Sequence, residues 1–202
     1  MSARPAEASA RRAIVGVCRR LYERGLIAGR DGNVSVRVGR DRVLVTPAGI
    51  SKVDVRAADL VELKIDGHVA RGSRGPRQAS SELLVHLAAY RVRPDVRAVV
   101  HAHPPVATGF AVADEPLDEA MLAELSYSGG RVPLVPYATP GTRVLAEKVA
   151  RYLRGHDVVL LARHGAVAVG PTLLVAHQRM ESLEHAARIL LAARLVKGRV
   201  AR

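Results

Sequence analysis

His101 and His103 stand two residues apart at the end of the apolar run Ala98-Val99-Val100, and Pro104 closes the run off. In an extended strand, residues two apart project from one face, so the two imidazoles can serve a single ion side by side. Burying two imidazoles at a strand end without a partner is costly. The plainer reading is a pair of histidines hydrogen-bonded to backbone. His164 shifts the balance, because it too follows an apolar run, Val158-Val159-Leu160-Leu161, and Gly165 after it leaves room for close approach. Three neutral imidazoles with one open position are the usual ligands of catalytic zinc, whereas structural zinc sites are closed and often use thiolates. The expectation is one Zn2+ per chain. Cys18 is the only cysteine, which leaves neither a disulfide framework nor a thiolate cage.

The other histidines form a contrast set. His68 lies beside a turn and His156 beside Gly155, both expected at the surface, and His86 falls on a helix where packing or half-exposure is expected. His177, Glu181, Glu184 and His185 share one helical face at i, i+4, i+7 and i+8. That spacing can bind a metal in a bundle, but polar pairs of this kind more often decorate a helix surface.

Ser80-Ser81-Glu82 opens another helix. A serine pair at a helix start offers hydroxyls and free backbone N–H groups, a ready site for a phosphate. Glu82 falls in the first turn, where it either complements the helix dipole or stands near the metal as general base and acid. The turns Gly32-Asn33-Val34-Ser35 and Thr46-Pro47-Ala48-Gly49 become informative if they converge on the same anion.

These residues need elements to carry them. Residues 6–24 read as a helix, with Ile14, Val17, Cys18 and Leu21 at helical spacing and Gly25 as a stop. Strands are expected at 33–38, 43–45 and 60–65, with Asp66-Gly67 signalling a hairpin before 68–70. The serine pair begins a helix through Tyr90, and 96–103 is a buried strand followed by a short helix over 105–112. Residues 117–125 are ambiguous, and the loop 128–130 precedes a short strand ending near Pro136. A helix at 141–153, strands at 158–161 and 166–169, and a long helix over 171–196 complete the chain. Strands joined by tight hairpins predict a mixed, partly antiparallel sheet covered by helices in one α/β domain over residues 1–202, not a parallel barrel.

Composition narrows the class. At 202 residues and 49% apolar, the chain can bury roughly 70% of its unfolded surface. Aromatic residues make up 3%, which argues against stacking single-stranded nucleic acid. The net charge of +12 is scattered, mostly as arginine. It suits a solvated basic surface or attraction of an anionic small molecule, and a nucleic-acid partner would show as salt-sensitive retention on DNA. No leader-like core and no run near the ~20 apolar residues of a membrane span is present, so the expected address is the cytoplasm.

Read in order, Gly32-Asn33-Val34-Ser35-Val36-Arg37, Thr46-Pro47-Ala48-Gly49-Ile50, Ser80-Ser81-Glu82, Arg93-Pro94-Asp95, His101-Ala102-His103, Pro136-Tyr137-Ala138-Thr139 and Arg163-His164-Gly165 resemble the class II aldolase/adducin family. Within it they are most similar to the branch that cleaves L-fuculose 1-phosphate. The likeness runs over residues 10–195, and the ordered set is far more specific than any one motif. The resemblance implies a single α/β domain with a central, mainly antiparallel sheet, assembled as a homotetramer with active sites between subunits. It implies zinc on His101, His103 and His164, with Glu82 touching the metal before substrate arrives and then transferring the proton. Asn33, Gly49, Ser80 and Ser81 match phosphate-binding positions, and Gly32 shapes their loop. The implied substrate is a ketose 1-phosphate, cleaved to dihydroxyacetone phosphate and an aldehyde.

Relatives that epimerise ribulose phosphate carry aspartate where this chain has Glu82, which favours aldol cleavage here. Methylthioribulose-phosphate dehydration and sugar-acid phosphate decarboxylation stay open as alternatives within the family. An adducin-like interaction module is the non-enzymatic reading, and retention of the three histidines with Glu82 speaks against it. Two departures concern the aldehyde end. The tyrosine that protonates the aldehyde oxygen aligns with Ala123, leaving nearby Tyr127 as the candidate donor, and the longer C-terminal tail is expected to be missing after Arg202.

Overall fold

The strand pattern of the first half is set by alternation. In the computed structural model, which describes residues 3–68, 78–80, 82–115, 117 and 132–200, β1 (Asn33–Arg37) and β2 (Arg42–Val45) form an antiparallel hairpin with Ser35 opposite Val45. β3 (Val61–Lys64) pairs antiparallel with β2. The wholly buried β4 (Ala98–Ala102) lies between β1 and β7 (Gly165–Gly170), antiparallel to both. β6 (Val158–Leu161) returns along β7, and the short β5 (Leu134–Val135) adds a parallel edge. The resulting seven-stranded sheet has the order β3-β2-β1-β4-β7-β6-β5.

Each strand divides its side chains between two cores. Ala98, Val100 and Ala102 of β4, with Ala166 and Ala168 of β7, pack beneath α1 (Ala3–Glu23), α3 (Pro105–Val112) and α5 (Leu173–Val200). Val99, Val167 and Val169 face the other way, toward α2 (Leu83–Val92) and α4 (Arg143–Leu153). Small residues thus admit three helices on one face, while valines fill the broader gap on the other. The described residues form one α/β domain with helices on both faces of a mostly antiparallel sheet, as expected.

One boundary differs from expectation in a way that matters. α2 begins at Leu83, not at the serines, and Glu82 is its N-cap residue with no side-chain capping bond. Ser80 Oγ accepts from the Glu82 N–H at 3.4 Å and the Ser80 carbonyl accepts from the Leu83 N–H at 3.1 Å. Glu82 therefore stands outside the helix, its carboxylate free to point elsewhere. Of the ambiguous stretch, Leu117 bridges Val132. The second arm of the expected 66–70 hairpin falls beyond the described residues at 69–70, but Asp66 Oδ1 accepts from the His68 N–H at 2.9 Å, as the turn signal requires.

Candidate metal centre

His101 is the fourth residue of β4, and by strand parity it emerges on the α2 side of the sheet, where Glu82 waits. His103 hangs just past the strand, its N–H donating to the Leu26 carbonyl at 3.0 Å. His164 occupies the tight turn between β6 and β7. Leu161 pairs with Gly165 across that turn, and Arg163 takes a left-handed conformation at φ 58°. A Cβ at Gly165 would lie 2.6 Å from both the Ala102 carbonyl and the His103 ring, so only glycine lets the turn close down on β4.

These elements bring Glu82, His101, His103 and His164 together, one ligand atom from each lying within 4.8 Å of the others. His101 Nε2 lies 2.6 Å from Glu82 Oε2, and His164 Nε2 lies 3.0 Å from Glu82 Oε1. The three rings stand edge to face, with centroids 4.8 to 5.1 Å apart. His101 Nδ1–H donates to the Ala166 carbonyl at 2.8 Å, which leaves a lone pair on Nε2. That lone pair meets a carboxylate oxygen and His103 Nε2 at 3.1 Å. A cation at the centre would turn this crowding of electron pairs into coordination, and three imidazoles plus a carboxylate suit zinc. Asp31 lies 3.6 Å from His103 Nδ1, as an outer carboxylate often does behind a ligating imidazole.

Burial opposes charge at two members of the cluster, His103 and Glu82. His103 is pushed down to about 4, by burial first and then by the neighbouring His101 and His164, so it is neutral at physiological pH. Burial also works against an ionised Glu82. Its close contacts with His101 and His164 outweigh that burial and hold the carboxyl far below its ordinary range.

A polar flank adjoins the cluster. Asn33 pairs with His101 across β1 and β4, and its Nδ2 donates to Ser80 Oγ at 3.0 Å and to Glu82 Oε2 at 3.4 Å. The Thr46–Gly49 turn is drawn in by two routes. The Val34 N–H donates to Thr46 Oγ1 at 3.2 Å, and the Ala48 N–H donates to the Gln78 carbonyl at 2.9 Å beside a Pro47–Ala79 bridge. Gly49, at φ +75°, has open space where a side chain would be. Gly32, at φ +68°, is tightly held, since a Cβ there would lie 2.8 Å from the His101 carbonyl. Gly32, Asn33, Gly49 and Ser80 are therefore all tied to this neighbourhood, while Ser81, Ala123 and Tyr127 lie outside the described residues.

Several residues in this region carried no flag in the sequence. His86, expected to be packed or half-exposed, is fully buried and hydrogen-bonds Ser35 and Asn33. Its signal was present in two periods at once: Asn33 and Ser35 at i, i+2 on a strand, and His86 and Tyr90 at i, i+4 on a helix. Lys52 is also buried. Its Nζ donates to the Arg30 carbonyl at 2.8 Å and the Ile50 carbonyl at 3.2 Å, pinning two loops together, and burial lowers its pKa. Nothing in the sequence distinguishes it from a surface lysine.

The α5 group behaves differently from its surface reading. His177 and Glu184 are buried, and Glu184 accepts from the Val106 and Ala107 N–H groups at 3.0 Å each. His177 Nδ1 lies 3.3 Å from Glu181, and the four residues do not converge on one point. Among the described residues, no helix is long and apolar enough to cross a membrane.

Known proteins agree with this architecture. Residues 12–191 match the family described as Class II Aldolase and Adducin N-terminal domain. The L-fuculose phosphate aldolase of Methanocaldococcus jannaschii is 33% identical over 183 residues, spanning 91% of this chain and 96% of its own. The 3-oxo-tetronate 4-phosphate decarboxylase of Haemophilus influenzae is 34% identical over 181 residues, spanning 87% and 84%. Among solved structures, L-fuculose-1-phosphate aldolase from Thermus thermophilus superposes with a TM-score of 0.79 at 37% identity, over 92% of this chain and 94% of that one.

Proposed function

The chain belongs to the class II aldolase and adducin family, whose enzymes are zinc-dependent lyases, and from that premise we propose that it cleaves and forms a ketose 1-phosphate resembling L-fuculose 1-phosphate. The products of cleavage are dihydroxyacetone phosphate and an aldehyde. One observation carries the reading: a carboxylate outside any helix touches two of three clustered imidazoles directly beside the Asn33–Ser80 pair. That supports reading Glu82 as a proton-transfer group between a metal site and an anion site.

His101, His103 and His164 would hold one zinc per chain, with Glu82 as a fourth ligand until substrate binds. The chemistry a bound zinc supplies is Lewis acidity at the ketone oxygen, where negative charge develops. Asn33 Nδ2, the Ser80 and Ser81 hydroxyls and the open backbone at Gly49 bind the phosphate, with Gly32 shaping their loop, and so fix the register of the three-carbon fragment. Glu82 then removes a proton from the carbon beside the carbonyl in the condensing direction and returns it on cleavage. Tyr127 is the candidate donor to the aldehyde oxygen. We also assign a cytoplasmic address and a fourfold homotetramer whose subunits share active sites, as the family resemblance implies.

A decarboxylase reading stands second, favoured by the Haemophilus relative. The same site would stabilise the electron pair left when carbon dioxide departs. Proton exchange separates the two. With zinc loaded, the wild-type protein is expected to exchange the proton beside the carbonyl of dihydroxyacetone phosphate in heavy water, followed by NMR. Glu82→Gln should slow that exchange by about 10²–10⁴-fold. A zinc-loaded wild type that never exchanges it removes aldol cleavage and brings decarboxylation forward.

A further inference from the structure

We propose that Tyr90, Ser35 and His86 form a one-way hydrogen-bond relay that holds the Asn33 amide with its NH2 turned toward Ser80 and Glu82, which makes His86 a positioning residue for the anion end of the site. The proposal rests on the function above only in taking that end to bind phosphate.

The direction of the relay follows from what each group can donate. The Glu82 carboxylate can only accept, so the Asn33 atom facing it at 3.4 Å must be Nδ2. Asn33 Oδ1 is then turned inward, onto His86 Nε2. An oxygen there needs a donor, so His86 must carry its proton on Nε2. The ring is neutral, held by burial down to about 3, and so has one N–H to give. Its Nδ1 is therefore a bare acceptor, and the group facing it at 2.7 Å is Ser35 Oγ, which must donate. Having spent its single proton, Ser35 Oγ accepts from the Tyr90 hydroxyl at 2.8 Å. Burial drives that phenol well above its ordinary pKa, so it keeps its proton. Every link is fixed by the one before it.

The opposite tautomer breaks two contacts together. With the proton on Nδ1, His86 Nε2 would face Asn33 Oδ1 as acceptor against acceptor. Rotating the amide to relieve this would aim its oxygen at the Glu82 carboxylate and withdraw the donor from Ser80. All four relay residues are at most 3% exposed, so water offers no alternative partner, and a buried chain of this kind is rigid only when every member is satisfied. β1 supplies Asn33 and Ser35, and α2 supplies His86 and Tyr90, so the relay also sets the strand against the helix that follows Glu82.

The test has two readouts on zinc-loaded protein. Long-range 1H–15N NMR of labelled imidazole at neutral pH should find His86 protonated at Nε2 with Nδ1 bare. Calorimetric titration with inorganic phosphate should show His86→Phe binding about tenfold more weakly than wild type, the loss of roughly one oriented hydrogen bond, with zinc content unchanged. Tyr90→Phe, which cuts only the far end, should weaken binding about threefold. If His86→Phe does not fold, Ser35→Ala is read the same way, and it should weaken phosphate binding while the His86 proton stays on Nε2, where Asn33 Oδ1 still accepts it. A wild-type His86 protonated at Nδ1 overturns the relay, and so does full phosphate affinity in both His86→Phe and Ser35→Ala. A wild type that ignores phosphate defeats the phosphate-site reading, and the tautomer then decides the relay alone.

Discussion

The molecule carries two histidine–glutamate groups, and they differ in what has already claimed their electron pairs. The α5 group, His177, Glu181, Glu184 and His185, has the more regular spacing in the sequence and a single rigid helix beneath it. Yet Glu184 spends its carboxylate on the first turn of α3 and on Arg188 at 2.8 Å. His177 and Glu181 face each other, and Arg24 reaches Glu181 at 3.3 Å. The other group is assembled from a strand, a strand exit, a hairpin turn and a helix N-cap, and its Nε2 atoms point inward at one another. Regular spacing on one element makes neighbours of side chains, but a metal site needs lone pairs that converge and that the backbone has not used.

The largest expected effect tests that contrast directly. His164→Ala should lose its zinc outright, while His177→Ala keeps a full complement, measured by elemental analysis after gel filtration. Full zinc in His164→Ala would falsify the assignment of the centre. Glu184→Ala should behave in the reverse sense, retaining zinc but losing stability. It strands the buried Ala107 N–H and the half-buried Val106 N–H at the start of α3, a loss of about 2–3 kcal/mol in urea unfolding. A change below about 0.5 kcal/mol would mean that Glu184 is no cap. Smallest is Arg24→Ala. Its side chain is 71% exposed in the pair with Glu181, so the expected cost is under about 1 kcal/mol, vanishing in high salt. A larger loss would show that the α5 group depends on that charge.

Much of this was legible in the sequence because it rests on short-range rules. The alternation in β1, the apolar run of β4 and the glycine-punctuated turns gave strands in the right places, and the His101-Ala102-His103 spacing put two imidazoles on one side. The start of α2 was misplaced, since a serine pair is a strong helix-start signal while the actual N-cap, Glu82, forms no capping bond. The burial of His177 and Glu184 was missed for another reason. The partners of Glu184 are backbone groups of α3, some 78 residues away, and no periodicity reports a tertiary partner. Lys52 is the extreme case, held by two carbonyls that any sequence would supply.

β4 lies at the centre of the sheet, with β1 and β7 bonded along its edges. Such a strand cannot fray. Exposing the amides of Val99, Val100 and His101 together to solvent exchange requires both neighbours to let go, which amounts to global unfolding. The loop carrying Gly49 is held by less, a single bridge, a few hydrogen bonds at its base and the Lys52 tie at Ile50, and such segments open at a fraction of the global free energy. The proposed centre is therefore built in two tempos: a histidine half anchored on a strand that lasts as long as the fold itself, and a glycine loop that opens and closes many times within that life.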